Sequence, residues 1–325
     1  MATIIRDLEE LQQPLKNPVL TIGNFDGVHK GHLALFDKVK ERAKAVGGQS
    51  VVMTFDPHPM KVMNPQGGPP VITPTQQKLR LIEEAGIDVI ICLKFTEEFA
   101  KIRAREFVEK ILVGKIGVKE VVVGYDYTFG YRREGNIELL KRLGEEYGFQ
   151  VHVVGPVEVD GKLVSSTSIR NLVREGKLEE AEPLLGRHYE VCGTVVKGKN
   201  RGGRLLGFPT ANLELIDELV PKEGVYAVEV IAEGKSYLGV TNIGHNPTFG
   251  NGALSVETHL LDFAGDLVGK TIRVKFVKRL RDEKTFESIE ALSEQIARDV
   301  EKAKEILAST AAQNSTKEKA SMCAK

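Results

Sequence analysis

Two histidines three residues apart, His29 and His32, stand where an apolar run ends in a glycine-punctuated turn, Thr21-Ile-Gly-Asn-Phe-Asp-Gly-Val-His-Lys-Gly-His32. Side chains at i and i+3 lie on one side of a helical turn, so both imidazoles can donate to one phosphate group. Val19 to Ile22 reads as a buried strand, and Leu33, Phe36, Val39, Ala43 and Val46 set one face of a helix that His32 opens. A strand, a turn containing Gly23, Gly27 and Gly31, and a helix N-terminus together make a place for an anion. A zinc pair is disfavoured, because no Cys or further His lies near and the His-Glu-x-x-His pattern is absent. The dinucleotide fingerprint fails on the glycine spacing. A tight turn with incidental histidines is the bland alternative, and phosphate handling is the preferred reading.

Further stretches carry chemistry. Thr54-Phe-Asp-Pro-His-Pro59 ends an apolar strand in two prolines, so Phe55, Asp56, Pro57 and His58 enter a loop at a strand's carboxyl end. Gly124-Tyr-Asp-Tyr-Thr-Phe-Gly130 follows a later strand in the same way. Val164-Ser-Ser-Thr-Ser-Ile-Arg170 reads by itself as a capped helix start, with a guanidinium one turn in that can fork onto phosphate oxygens. Lys197 to Asn212 is cationic and Gly-rich, a weak phosphate signal, and its Pro-Thr-Ala-Asn212 end would pass alone for a Pro-initiated turn. Glu257 interrupts a strand pattern, as a functional or a salt-bridged structural carboxylate. No Walker A loop is present; Gly265 to Thr271 is one residue short and leads into a strand.

Taken together these motifs resemble, in order and over about residues 15–308, those of bacterial bifunctional riboflavin kinase/FAD synthetases. Phe25-Asp-Gly-Val-His-Lys-Gly-His32 is similar to the His-x-Gly-His motif of the nucleotidyltransferase superfamily. The resemblance implies that Gly23, Phe25, Asp26, Gly27, His29, Gly31, His32, Ser166, Thr167 and Arg170 bind ATP, with His29, His32 and Arg170 assisting adenylyl transfer. Whether Asp26 serves a metal or the turn itself stays open. It places the flavin beside Phe55, Asp56, Pro57, His58, Gly124, Asp126 and Phe129, with Tyr127 where Phe is more usual. In the second half it implies ATP binding by Gly202, Arg204, Gly207, Pro209, Thr210 and Asn212, with Thr210 and Asn212 holding Mg2+. Glu257 would be the catalytic base, and Arg279, Arg281 and Glu283 would lie near the flavin. Asn246 and Val268 replace residues more frequent in the family. The implied partners are riboflavin, FMN, FAD and ATP. Rival readings are a single active module, a nucleotidyltransferase with another phosphate acceptor, and a nucleotide-sensing regulator; the last lacks a DNA-reading helix.

The elements that must position these residues change character midway. Strands at 19–22, 50–55, 89–93, 120–123 and 150–154 alternate with helices at 76–85, 104–112 and 137–147, which predicts a parallel sheet covered on both faces. Asp160-Gly161 marks a hairpin. After a helix at 178–185, short strands at 189–196, 224–231, 236–241, 256–261 and 271–277 follow without intervening helices, which predicts an antiparallel barrel or sandwich. A last helix at 286–307 carries Ile289, Leu292, Ile296, Val300, Ala303 and Leu307 toward that barrel. The pattern is α/β followed by all-β, and the resemblance implies a Rossmann-like nucleotidyltransferase domain over 1–186 and a Greek-key kinase barrel with its C-terminal helix over 187–308, with 309–325 a frayed or disordered tail. The 325 residues suffice for two cores. Lys plus Arg and Asp plus Glu are 45 each, which offers no basic field for nucleic acid or anionic membrane. Three scattered cysteines, no signal-peptide core and no apolar run near ~20 residues give a cytoplasmic reading.

Overall fold

The computed structural model describes all residues except 12, 65, 198–209, 216–217, 246–253 and 324–325, with side chains to residue 310. The chain divides into two compact units, Met1–Ser168 and Ile169–Lys325.

In the first unit β1 (Thr3–Ile5), β2 (Val19–Ile22), β3 (Ser50–Asp56), β4 (Val89–Lys94), β5 (Glu120–Gly124) and β6 (Gln150–Val154) form one sheet in the order β1-β4-β3-β2-β5-β6, every pair parallel. The apolar runs Val19–Ile22 and Val51–Phe55 are buried because helices cover both faces. Leu20, Met53, Ile91 and Val121 pack on one side, and Val52, Ile90, Phe36 and Ile82 on the other. β1 is an edge strand beyond the predicted five; three residues, of which only Ile5 is buried, give too short a pattern to read. The predicted helix at 104–112 is a short α-turn, Ala104–Glu106, continued by a π-helix over Phe107–Lys115. Asp160 and Gly161, both at positive φ, turn β7 (Glu158–Val159) into β8 (Lys162–Leu163) as the dipeptide predicts.

The second unit is a closed antiparallel barrel in the order β10-β13-β12-β11-β14-β9. Its strands are β9 (Tyr189–Val196), β10 (Thr210–Glu214), β11 (Gly224–Ala232), β12 (Lys235–His245), β13 (Leu254–Leu260) and β14 (Thr271–Arg281). β11, β12 and β13 pair in succession and β14 returns beside β11, which is the Greek-key order. β10 was not among the predicted strands, since its sequence reads as a turn motif. Val256, Thr258, Thr241 and Ile243 point inward, and the Thr241 and Thr258 hydroxyls bond at 2.9 Å. The C-terminal helix covers part of the outer face, where Val300, Ala303 and Leu307 pack on Val225, Ala227 and Val240. It starts at Ile289, after Ser288 takes the Ala291 N–H on its hydroxyl, so Ile289 itself is exposed. Its backbone stays helical to Cys323, through the segment expected to fray, although Leu307 is the last buried side chain described. Among the described residues no helix is long and apolar enough to cross a membrane.

Away from the strands' carboxyl ends, the buried Glu120 carboxylate accepts from Arg42 Nε at 2.7 Å and Nη2 at 2.8 Å, with His152 Nε2 2.7 Å away. The Arg42 bonds hold its carboxyl below the usual carboxylate range. A depressed carboxylate stabilises the fold above its unfolded pKa and loses that contribution as pH falls through the folded value. Glu120→Gln should therefore cost the first unit about 3 kcal/mol at neutral pH, and the deficit should shrink toward pH 4 in urea titrations. An equal deficit at both pH values would contradict this.

Candidate active sites

Strand order runs outward from β2 in both directions, through β3 and β4 on one side and β5 and β6 on the other. The carboxyl end of β2 is therefore a topological switch point, where open α/β sheets bind ligands. The Gly23–His32 turn occupies it. Phe25 (φ 48°), Gly27 (φ 91°) and Val28 (φ 38°) all adopt left-handed backbone, which is costly for a bulky and for a β-branched residue. A set of hydrogen bonds holds the turn. Asp26 Oδ1 accepts from the N–H groups of Ile72 (2.9 Å) and Thr73 (3.1 Å). The Gly27 N–H donates to Thr73 Oγ1 at 2.9 Å, and Ser166 Oγ donates to the Asp26 carbonyl at 2.8 Å. Thr54 Oγ1 donates to the Asn24 carbonyl at 3.2 Å. The geometry gives Asp26 to the turn.

The helix begins at Lys30, so His29 is its N-cap rather than part of its first turn. His29 Nδ1 accepts from the His32 N–H at 3.4 Å, and His32 Nδ1 accepts from the His29 N–H at 3.3 Å. The rings stack with centroids 3.5 Å apart and an 18° interplanar angle. This is a capping box with imidazole in both roles usually taken by hydroxyl and carboxylate. Because each Nδ1 is an acceptor, each neutral ring carries its proton on Nε2, an assignment the hydrogen bonds impose. Both Nε2–H groups are then donors of the kind a phosphate oxygen takes. A Cβ on Gly31 would lie 3.2 Å from His29 Nδ1 and Cε1, which explains a glycine between the histidines.

The two predicted loops leave the same edge of the sheet, at the carboxyl ends of β3 and β5. Asp56 Oδ1 accepts from Thr75 Oγ1 at 2.7 Å, and His58 caps the helix Pro59–Met63 by accepting the Met60 N–H at 3.2 Å. The Phe55 and Phe129 rings are buried in the first unit's core, Phe55 against Phe95 and Phe99 and Phe129 stacked on Tyr127. Pro57 and Asp126 are exposed, and Gly124 closes β5. Ser165 caps the helix Ser166–Arg174 through the Ser168 N–H, as predicted; Thr167 is exposed. Arg170, half-buried, belongs to the second unit. Thr73, which the turn depends on, was not foreseen: its partner lies 46 residues away.

In the barrel, register aligns the candidate residues. Asn212 of β10 pairs with Glu257 of β13, which pairs with Asn242 of β12, which pairs with Val225 of β11, which pairs with Arg281 of β14. Opposed residues share a face, so this row lies on the outer surface that the C-terminal helix partly covers. Glu257 is half-buried there, not buried as the apolar strand pattern suggested. Thr210 is exposed two residues from Asn212 on the same face. Glu283 Oε1 accepts from Asn242 Nδ2 at 3.3 Å, seated over Gly244, where a Cβ would meet it at 1.8 Å. Arg281 is engaged by the helix: its Nε donates to Asp299 Oδ2 at 2.9 Å and its Nη2 lies 2.8 Å from the same atom. Arg279 Nη2 donates to the Glu223 carbonyl and, at 2.7 Å, to Asp282 Oδ1. Gly202, Arg204, Gly207 and Pro209, and the departure at Asn246, lie outside the described residues. Among the described residues no group of three or more His, Cys, Asp or Glu is arranged to hold a metal. Thr210 and Asn212 instead offer neutral oxygens beside one carboxylate, a donor set that fits a hard divalent cation completed by phosphate and water.

Comparison with known proteins divides the chain similarly. A family model for FAD synthetase matches residues 11–168 and one for riboflavin kinase matches 185–307. A bifunctional riboflavin kinase/FMN adenylyltransferase from Pseudomonas fluorescens is 41% identical over 309 residues, covering 95% of this chain and 99% of the relative. The protein of that description from Escherichia coli (strain K12) is 40% identical over 309 residues, covering 94% and 98%. A crystal structure described as a macrolide-efflux protein from Streptococcus pneumoniae superposes with a TM-score of 0.82 at 32% identity, covering 93% of this chain and 98% of that one.

If the imidazole cap carries the helix start, His29→Ala should destabilise the first unit by about 1–2 kcal/mol, and His29→Asn, which restores a capping acceptor, by less. Urea unfolding of the two variants checks this; equal losses would show that ring packing, not capping, is what His29 contributes.

Proposed function

The chain belongs to the bifunctional riboflavin kinase/FMN adenylyltransferase family, and from that premise we propose that its barrel phosphorylates riboflavin to FMN and its parallel-sheet domain adenylylates FMN to FAD. The observation that best supports this reading is that each unit carries its own phosphate-directed constellation: the stacked imidazoles at the switch point of one, and the Asn212–Glu257–Asn242 row of the other. We assign the adenylyltransferase to residues 1–186 and the kinase to 187–308.

In the kinase step the riboflavin 5′-hydroxyl oxygen attacks the γ-phosphorus of ATP, the bond to the leaving ADP oxygen breaks, and Glu257 accepts the hydroxyl proton. A positioned base of this kind contributes roughly 10²–10⁴-fold. Asn242 and Asn212, its neighbours on either side, set the carboxylate in a row of amides. Thr210 and Asn212 would hold Mg2+, which when bound neutralises phosphate charge. Gly202, Arg204, Gly207 and Pro209 would complete the ATP site, and Arg279, Arg281 and Glu283 would border the flavin.

In the adenylyl step an FMN phosphate oxygen attacks the α-phosphorus of ATP, and pyrophosphate leaves. No proton needs to move, so the protein supplies alignment and charge stabilisation. The Nε2–H groups of His29 and His32 donate to phosphate oxygens from a cap that fixes both rings beforehand. Arg170, on the helix Ser166–Arg174, offers a guanidinium able to fork onto phosphate oxygens, and Gly23, Phe25, Asp26, Gly27, Gly31, Ser166 and Thr167 shape the nucleotide site. The loops with Phe55, Asp56, Pro57 and His58, and with Gly124, Asp126 and Phe129, border FMN. We place both reactions in the cytoplasm, in keeping with Cys92 and Cys192, neither of which is in a disulfide.

Glu257→Ala should abolish FMN formation from riboflavin while FAD formation from supplied FMN continues, as read by chromatographic separation of the flavins. Loss of both activities in a folded variant would contradict this division of labour.

A further inference from the structure

Lys78 breaks three local rules at once. It lies in the first turn of the helix Thr75–Glu84, where the helix dipole disfavours a cation. It is 4% exposed, where an ammonium loses most of its hydration. And it forms no ion pair among the described residues: its Nζ donates to two backbone carbonyls, Phe55 at 2.9 Å and Asn24 at 3.2 Å. A sequence tolerates such an arrangement where function requires it. The two carbonyls identify the requirement. Asn24 belongs to the strained turn that delivers His29 and His32, and Phe55 immediately precedes the Asp56-Pro57-His58 loop. One buried ammonium thus clamps the exits of β2 and β3, the two segments assigned above to the nucleotide and to the flavin.

We propose that Lys78 is a positioning residue for adenylyl transfer, which fixes the spacing between the nucleotide turn and the flavin loop and places a buried ammonium beneath them. The inference rests on the adenylyltransferase reading of the first unit. A charge in a water-poor site acts over several ångströms with little screening. The spacing it sets is the one that brings the attacking phosphate oxygen of FMN in line with the α-phosphorus of ATP, and such alignment appears in kcat more than in KM. The groups facing the ammonium are Asp26 from the turn, Asp56 from β3 and Cys92 from β4; both carboxylates favour its charged form, while burial pushes the ammonium pKa down and the Cys92 thiol pKa up.

Two measurements test this. Lys78→Met keeps the side chain's length and removes both carbonyl bonds and the charge. Its kcat for FAD formation from FMN should fall at least about tenfold with KM values for ATP and FMN within about threefold, and FMN formation from riboflavin should stay within about twofold. A kcat within twofold of the wild type, or a loss confined to KM, would overturn the proposal. Should Lys78→Met fail to fold, the wild-type enzyme decides: kcat for FAD formation should decline on an alkaline limb below the range of an exposed lysine, about pH 10, and Cys92→Ser should keep that limb. A rate flat through that range, or a limb that Cys92→Ser removes, would overturn it. If the wild type makes no FAD from FMN, it is the adenylyltransferase reading that fails.

Discussion

The Asp26 carboxylate is the tie on which the first unit's site depends. Its two bonds to the Ile72 and Thr73 N–H groups hold a turn in which Phe25 and Val28 sit in left-handed backbone. Each such residue costs on the order of 1–3 kcal/mol, so the turn persists only because its surroundings over-determine it. The Thr73 and Thr54 hydroxyls, Ser166 and the Lys78 ammonium add to that constraint. What the strain achieves is direction: the chain leaves β2 at Ile22, turns through Gly23 to His29 and enters at Lys30 a helix whose cap is two imidazoles already locked against each other.

The barrel solves the same problem by register. Thr210, Asn212, Glu257 and Asn242 come from three strands, and no local turn relates them. Pairing of β10 with β13 and of β13 with β12 places the last three side by side, and a slip of one residue would turn Glu257 into the barrel interior. The C-terminal helix secures the end of the row, since Asp299, itself oriented by Gln295, receives Arg281. Helix and barrel thereby share one apolar face and one buried ion pair, and severing that pair would leave a charge stranded on the face.

Much of this was legible in the sequence. Periodicity separated a parallel sheet from an antiparallel barrel because buried parallel strands read as continuous apolar runs, while barrel strands are short and turn-punctuated. The spacing of His29 and His32 placed both rings at a helix start. What spacing alone could not give was their mutual capping, which occupies both Nδ1 atoms and leaves the proton on Nε2. The residues missed share one physical trait. Thr73, Lys78 and Asp299 act through partners 46, 23 to 54 and 18 positions away, and a polar residue in an otherwise ordinary helix or loop announces no distant partner. β1 and β10 escaped for a related reason, since each takes its strand character from neighbours supplied by distant chain.

The central claim is that two independent phosphate-transfer sites act in sequence on one flavin. Incubation of the wild-type protein with riboflavin, ATP and Mg2+, with flavins separated over time, tests it most directly. The account predicts FMN first and FAD after it, with FAD also formed from FMN supplied alone. FMN that never proceeds to FAD, from either starting flavin, would contradict the assignment of the histidine turn.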